Sequence, residues 1–240
     1  MPFNCYQDAR RADSYALLEF ANTYHLAYRD LPEIIGEHAA GARTLDFGCG
    51  AGRSTRFLGR LGLQVTGVDI APEMIAKARQ LDPEGDYRLI PGDDLSAFPP
   101  GSFDLVVSVF TFDNIPGTDT KVRLFGELRA QLKPWGRLVS VVSTPEIYLY
   151  EWASFSTRDY PENRNARSGD IVRIVTTEFA DRRPCEDILC TDDSYREIYA
   201  RAGLEVAATY KPLARGDEPY PWVNETKIAP WIIYVLAPHP

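Results

Sequence analysis

Short apolar runs alternate along the chain with stretches whose apolar positions recur at helical spacing. The runs Arg43–Phe47, Gln64–Asp69, Tyr87–Pro91, Phe103–Phe110 and Arg137–Ser143, rich in Val, Ile, Leu and Phe, read as strands. Helices are expected between them near Ser54–Arg60, Pro72–Gln80 and Thr120–Leu132, with Pro72 at a first-turn position that needs no N–H. This alternation produces a parallel sheet covered on both faces, and right-handed crossovers make it doubly wound. After a helix over Thr191–Ala202, capped by Thr191 and ended by Gly203, two more strands follow at Leu204–Tyr210 and Trp231–Ala237. Their long connection indicates reversal, so the expected fold is α/β: a doubly wound, mostly parallel seven-stranded sheet with an antiparallel edge strand.

Two segments fall outside the alternation. Residues 12–40 carry Tyr15, Leu18, Tyr24, Tyr28 and Leu31 and read as one or two helices broken at Pro32, an N-terminal helical lid. Residues 144–187 hold Tyr148, Tyr150, Trp152, Phe155 and Tyr160, then a strand-like run from Asp170 to Phe179, and read as an insertion after the fifth strand. A single domain over 1–240 thus divides into the lid (12–40), a core (41–143), the insertion (144–187) and a C-terminal helix with strands (188–240).

Composition narrows the class. With 240 residues, 45% hydrophobic and 25% charged, the chain suits one globular domain rather than a disordered or fibrous one. Its longest apolar runs fall short of the roughly 20 residues of a membrane span, and the polar start resembles no export signal, so a cytoplasmic protein is expected. A net charge of −8 without a dense Lys/Arg run disfavours nucleic acid and favours a small-molecule partner. Cys5, Cys49, Cys185 and Cys190 form no C-x-x-C pair, and His25, His38 and His239 are scattered, so no metal site is expected and free thiols are.

The chemistry centres on Leu45-Asp46-Phe47-Gly48-Cys49-Gly50-Ala51-Gly52, which leaves the first strand and opens the first core helix. Glycines there allow a sharp turn and leave no side chain between the loop and a ligand lying across the strand ends. The spacing is D-x-G-x-G-x-G; in the dinucleotide fingerprint G-x-G-x-x-G, Arg53 would stand where the third small residue belongs. Asp69 closes the second strand, where a carboxylate accepts both hydroxyls of a ribose. NAD and S-adenosylmethionine (SAM) both suit that residue. No tyrosine has lysine four residues later, which removes the short-chain dehydrogenase pattern.

The glycine loop, Gly67-Val68-Asp69-Ile70-Ala71-Pro72-Glu73-Met74, Gly92-Asp93-Asp94-Leu95 and Ser102-Phe103-Asp104-Leu105-Val106 together resemble the class I SAM-dependent methyltransferases of small-molecule type. The resemblance covers about residues 40–143 well and 190–237 in outline. It implies that the backbone around Gly48–Gly52, with Cys49 and Gly50 between them, faces the methionine moiety, that Asp46 belongs to the cofactor-binding set and that Asp69 binds the ribose. It further implies that Ile70 and Met74 flank the adenine, that Asp93 accepts its amino group, that Asp94 and Leu95 offer backbone contacts, and that Phe110 borders the sulfonium. S-adenosylhomocysteine would be the product. Arg29, on the lid, is a candidate partner of the methionine carboxylate.

Methyl transfer is an in-line displacement by an O, N, S or C nucleophile, for which alignment alone supplies roughly 7–11 kcal/mol. An acceptor hydroxyl or thiol also needs a proton acceptor. Asp113 is one candidate base, with Asn114 orienting the acceptor, although Asn-Ile-Pro-Gly equally makes a plain turn. His25 in the lid is the other. The Asn/Asp-Pro-Pro-Tyr/Phe motif of amine methyltransferases is missing, and the fifth strand runs into Ser143-Thr144-Pro145 instead of the Asp-Asn pair of Mg²⁺-dependent relatives. Tyr15, Tyr28, Asn114, Tyr148 and Trp152 are candidates for an apolar acceptor pocket. Two alternatives share the cofactor: a SAM-binding module that senses without turnover, and a protein or RNA methyltransferase.

Overall fold

The computed structural model describes residues 20–91, 94–178 and 182–239. Near the start, α1 (Thr23–Tyr28) and α2 (Leu31–His38) are separated just before Pro32, which stands in the first turn of α2. The core then runs β1 (Arg43–Phe47), α3 (Arg53–Arg60), β2 (Gln64–Asp69), α4 (Pro72–Leu81), β3 (Asp86–Leu89) and β4 (Phe103–Val109). It continues through α5 (Thr118–Gln131) into β5 (Leu132–Ser143). The following segment contributes β6 (Phe155–Ser156), β7 (Ile171–Thr176) and β8 (Cys185–Ile188), and the chain closes with α6 (Asp192–Arg201), β9 (Leu204–Tyr210) and β10 (Trp231–Pro238).

Seven strands form the main sheet in the order β3-β2-β1-β4-β5-β10-β9. β1 pairs in parallel with β2 on one side and β4 on the other, whereas β10 runs antiparallel to both β5 and β9. The antiparallel pairing thus lies at the expected end of the sheet, with β10 the reversed strand and β9 outside it. Every residue of β4 is buried, as a central strand covered on both faces requires. Alternate residues of β10 feed different layers: Trp231, Ile233 and Val235 pack toward α1, α2 and the insertion, and Ile232, Tyr234 and Leu236 toward α5 and α6.

The helix expected to run to Leu132 ends at Gln131, and β5 begins at Leu132 rather than Arg137. Leu132 pairs with Phe103, and a register shift between Phe103 and Leu105 absorbs the following residues, Pro134 among them. The strand-like run in the insertion is β7, the middle strand of a separate antiparallel sheet β6-β7-β8. No helix among the described residues is long and apolar enough to cross a membrane. Because the order reverses between β1 and β4, the carboxyl ends of these two strands flank a crevice, the place where open α/β sheets bind ligands.

Candidate functional site

One cavity of about 540 Å³ occupies that crevice and extends upward beneath α1 and the insertion sheet. Its floor is the turn after β1. The main-chain N–H groups of Gly48 and Cys49 both donate to Val68 O at 2.9 Å, folding the turn back on β2. Gly48 has φ 73°, and a Cβ there would lie 2.2 Å from Thr111 Oγ1. That hydroxyl donates to Phe47 O at 3.1 Å, tying the exit of β4 to the exit of β1. Gly50 has φ 53° and nothing within 4 Å of where a Cβ would stand. As Gly50 lines the cavity, a side chain there would enter ligand space in a backbone region unfavourable to L-residues.

Asp69 ends β2 on the cavity wall. Its Oδ2 accepts from Gly50 N and its Oδ1 from Ala71 N, each at 2.9 Å, which fixes the carboxylate at the cavity wall. Beside it stand Met74, Ile90 and Ile70, the last 45% exposed although apolar, which gives a flat greasy slot next to a carboxylate. Asp93, expected at the far side of this slot, lies outside the described residues, as does Tyr15. Asp94 and Leu95 are not among the described wall residues: Asp94 accepts from Ser96 N in an exposed turn, and Leu95 is packed in the core.

Asp46 is completely buried beneath the loop rather than on the cavity surface. Its Oδ2 accepts the hydroxyls of Ser54 at 2.7 Å and Thr55 at 2.6 Å, holding the first turn of α3, while Oδ1 has no partner. Burial pushes its carboxyl up to about 6 against the pull of those hydroxyls. Cys49 lines the floor, and burial raises its thiol well above the usual range.

Above the floor the cavity is aromatic. Phe110 takes a left-handed conformation, φ 63°, as the chain leaves β4, an uncommon geometry for a bulky residue. Its ring lies 4.5 Å from Trp231 and 6.0 Å from Tyr24, and Tyr24 in turn meets Phe155 at 5.2 Å. Into this box projects Arg53, whose guanidinium carbon lies 4.7 Å from the Tyr24 ring and 5.5 Å from the Tyr28 ring. Arg53, Tyr24 and Trp231 were not singled out as site residues by the sequence pattern. The signal for Arg53 is its place directly after the glycine loop, in the first turn of α3; Trp231 is brought in only by the pairing Trp231↔Ser143 between β10 and β5.

His25 and Arg29, two of the candidates on the N-terminal helical segment, face elsewhere. Arg29 does not line the cavity: its guanidinium is engaged by Asp30 at 2.7 Å, Glu218 at 2.9 Å and Leu213 O at 3.0 Å. His25, on the same side of α1, packs against Tyr220 with ring centroids 5.2 Å apart and is likewise off the wall. The periodicity of a helix explains both, since Tyr24 and Tyr28 are one turn apart on the inward face and His25 and Arg29 follow on the outward one. Trp152 is buried behind the wall, with Nε1 donating to Ile147 O at 2.9 Å. Tyr28, Tyr148, Asn114 and Asp113 do line the cavity; Asn114 Nδ2 donates to Phe110 O at 3.2 Å.

A model of the methyltransferase domain matches residues 45–140. The chain is 42% identical over 103 residues to a ubiquinone biosynthesis O-methyltransferase of Xanthomonas euvesicatoria, an alignment covering 41% of this chain and 42% of the relative. The corresponding enzyme of Xanthomonas campestris is 41% identical over 102 residues, covering 41% of each chain. The chain therefore spans about two fifths of the length of the curated relatives it matches. Among solved structures, the whole fold is similar to a SAM-dependent methyltransferase of Clostridium acetobutylicum, with TM-score 0.67, 16% identity and coverage of 99% and 100% of the two chains. The CcbJ methyltransferase of Streptomyces caelestis is similar with TM-score 0.61, 17% identity and coverage of 88% and 94%.

Proposed function

We propose that the chain, whose residues 45–140 match a methyltransferase-domain model, is a class I SAM-dependent methyltransferase that moves the sulfonium methyl of SAM to a nucleophilic atom of a small, largely apolar acceptor. The observation that carries this reading is the continuity of one cavity from the Asp69 slot, across the glycine loop, to the aromatic box and the insertion sheet. A module that only senses SAM has no use for the room beyond Phe110.

The residues present suit the cofactor. Asp69 brings a carboxylate to the wall where ribose hydroxyls would lie, the surface made by Ile70, Met74 and Ile90 suits an adenine ring, and the open side of Gly50 leaves space for the methionine chain. Asp93 is kept as the partner of the adenine amino group. Arg53 rather than Arg29 is assigned to the methionine carboxylate: of the two guanidinium residues on the wall, Arg53 and Arg56, it is the one that projects into the aromatic box, whereas Arg56 donates to Ala51 O. When bound, SAM supplies an already activated methyl group, so the protein's part is alignment and exclusion of water. The rings of Phe110, Tyr24 and Trp231 supply both, and their π-faces also favour a neighbouring cation. Asp113 and Asn114 stand on the acceptor side of this box.

The names of the relatives, the apolar lining and the net charge of −8 support a small-molecule acceptor, a hydroxyl nucleophile and a cytoplasmic setting without nucleic acid. Calorimetric titration with S-adenosylhomocysteine, followed by assay of its formation from SAM across a panel of hydroxylated aromatic compounds, tests the proposal. A folded protein with no affinity for S-adenosylhomocysteine would sink it.

A further inference from the structure

Alternation along β4 divides its side chains between two layers. Leu105, Val107 and Val109 face the layer of α1, α2 and the insertion, whereas Phe103 and Val106 face that of α5 and α6. Continued for one more residue, the pattern would send position 110 to the second layer. Phe110 packs against the first instead, with the roof of the cavity. The chain makes this switch by turning Phe110 left-handed, φ 63° and ψ 0°, after which Phe112 rejoins the second layer and stacks on Phe125 at 3.8 Å.

A left-handed conformation is unfavourable for a residue with a Cβ and persists only where its surroundings hold it. The turn is tied to both neighbouring strands: Phe110 N donates to Val141 O at 2.8 Å, and Thr111 Oγ1 donates to Phe47 O at 3.1 Å and Gly48 O at 3.3 Å. From within, Asn114 Nδ2 donates to the Phe110 carbonyl at 3.2 Å, closing the short 3₁₀ turn Thr111–Asn114 on the residue that precedes it. What these bonds fix is the place of one ring. It lies 4.5 Å from Trp231, 6.0 Å from Tyr24 and 6.0 Å from the guanidinium carbon of Arg53, so the ring already stands beside a cation.

We propose that Asn114 is a positioning residue: by holding the Phe110 carbonyl it keeps Phe110 left-handed and its ring on the cavity side, and through that ring it gives the site a preference for the positively charged cofactor over the neutral thioether product. The inference rests on the methyl-transfer reading and extends it to the release of product. An aromatic face attracts a cation and is nearly indifferent to an uncharged sulfur, so a ring held in place raises affinity for the cofactor while leaving that for the product almost unchanged. The amide of Asn114 is thereby assigned to the protein's own turn instead of to the acceptor.

The test is calorimetry on the full chain with two probes: S-adenosylhomocysteine, neutral at sulfur, and sinefungin, which carries an ammonium group in place of the methylated sulfonium. Asn114→Leu, similar in size and without a donor, should weaken sinefungin roughly fivefold and S-adenosylhomocysteine by less than about twofold. Phe110→Gly, which adopts φ 63° freely but has no ring, should do the same. In the double variant the ratio of the two affinities should move no further than in either single one, because Asn114 then has no ring to place. Should Asn114→Leu fail to fold by circular dichroism, Asn114→Ala takes its part. An unchanged ratio in either single variant, or additive shifts in the double one, would overturn the proposal alone. A wild type that binds neither probe would overturn the methyl-transfer reading and the proposal together.

Discussion

The floor and the roof of the cavity are built by different means. The floor is made of main chain: Gly48 and Cys49 return to Val68, and Gly50 and Ala71 are gathered by Asp69, all within one strand–helix–strand unit. The roof is made of side chains from segments far apart. Thr23 Oγ1 donates to Glu225 Oε1 at 2.7 Å across 202 positions, and Trp231 Nε1 donates to Thr23 O at 2.8 Å across 208. Glu225, with no exposed surface, also accepts from Ala153 N at 2.7 Å and Val223 N at 2.8 Å, so a single carboxylate gathers α1, the insertion and the loop before β10. A cradle of backbone suits a ligand shared by a whole family, and a roof of side chains is free to vary with the acceptor.

That contrast is open to direct attack. The largest effect is expected at the floor: Gly50→Val places a β-branched residue at φ 53° with its side chain in the cavity, and calorimetry should find no SAM binding by a protein whose circular dichroism is retained. Normal affinity would mean that the loop is not the cradle. At the roof, Glu225→Ala leaves buried donors from three segments unpaired. It should lower stability by about 2–4 kcal/mol in urea titration while changing SAM affinity by less than about threefold. A parallel loss of cofactor affinity would show floor and roof to be one cooperative unit. Removing the ribose acceptor with Asp69→Ala should weaken SAM about tenfold, worth about 1.4 kcal/mol, and no change would take Asp69 out of the site.

The smallest effect concerns protons. Burial raises Asp46 to about 6 in the folded state, so the native protein binds more protons than the unfolded chain between the ordinary carboxylate value and about 6. Stability should therefore fall as pH rises through that window and level off above it. Asp113 is raised in the same direction by its own burial. Urea midpoints measured from about pH 4 to about pH 8 should decline by the equivalent of about 1–3 kcal/mol, and Asp46→Asn should flatten part of that slope. A slope unaffected by the substitution would remove Asp46 from the account.

What the sequence revealed follows the same division. The D-x-G-x-G-x-G turn and the carboxylate ending the next strand are local patterns, and each is found in the structure at the strand end where the pattern put it. Strands and helices of the core were legible because their periods are local as well, apart from the start of β5, where pairing with Phe103 overrode the expected helix. Lid residues were legible only as a set of aromatics. Which face of α1 turns inward depends on Trp231 and Glu225, about two hundred positions away, and a pattern confined to Ala12–Ala40 carries no trace of either.

The Glu225 junction also has a consequence for the order in which the molecule is made. A chain growing from its N-terminus completes β1 to β4, and with them the cofactor cradle, before Glu225 or Trp231 has been synthesised. During that interval Thr23 has neither its hydroxyl partner nor its carbonyl partner, and β5 is an uncovered sheet edge until β10 arrives to pair with it. A nascent chain halted near residue 215 would carry every described wall residue of the cavity except Trp231 but neither β10 nor the Glu225 junction, so a ligand of the cradle is available to steady the half-made sheet while the remaining strands are added.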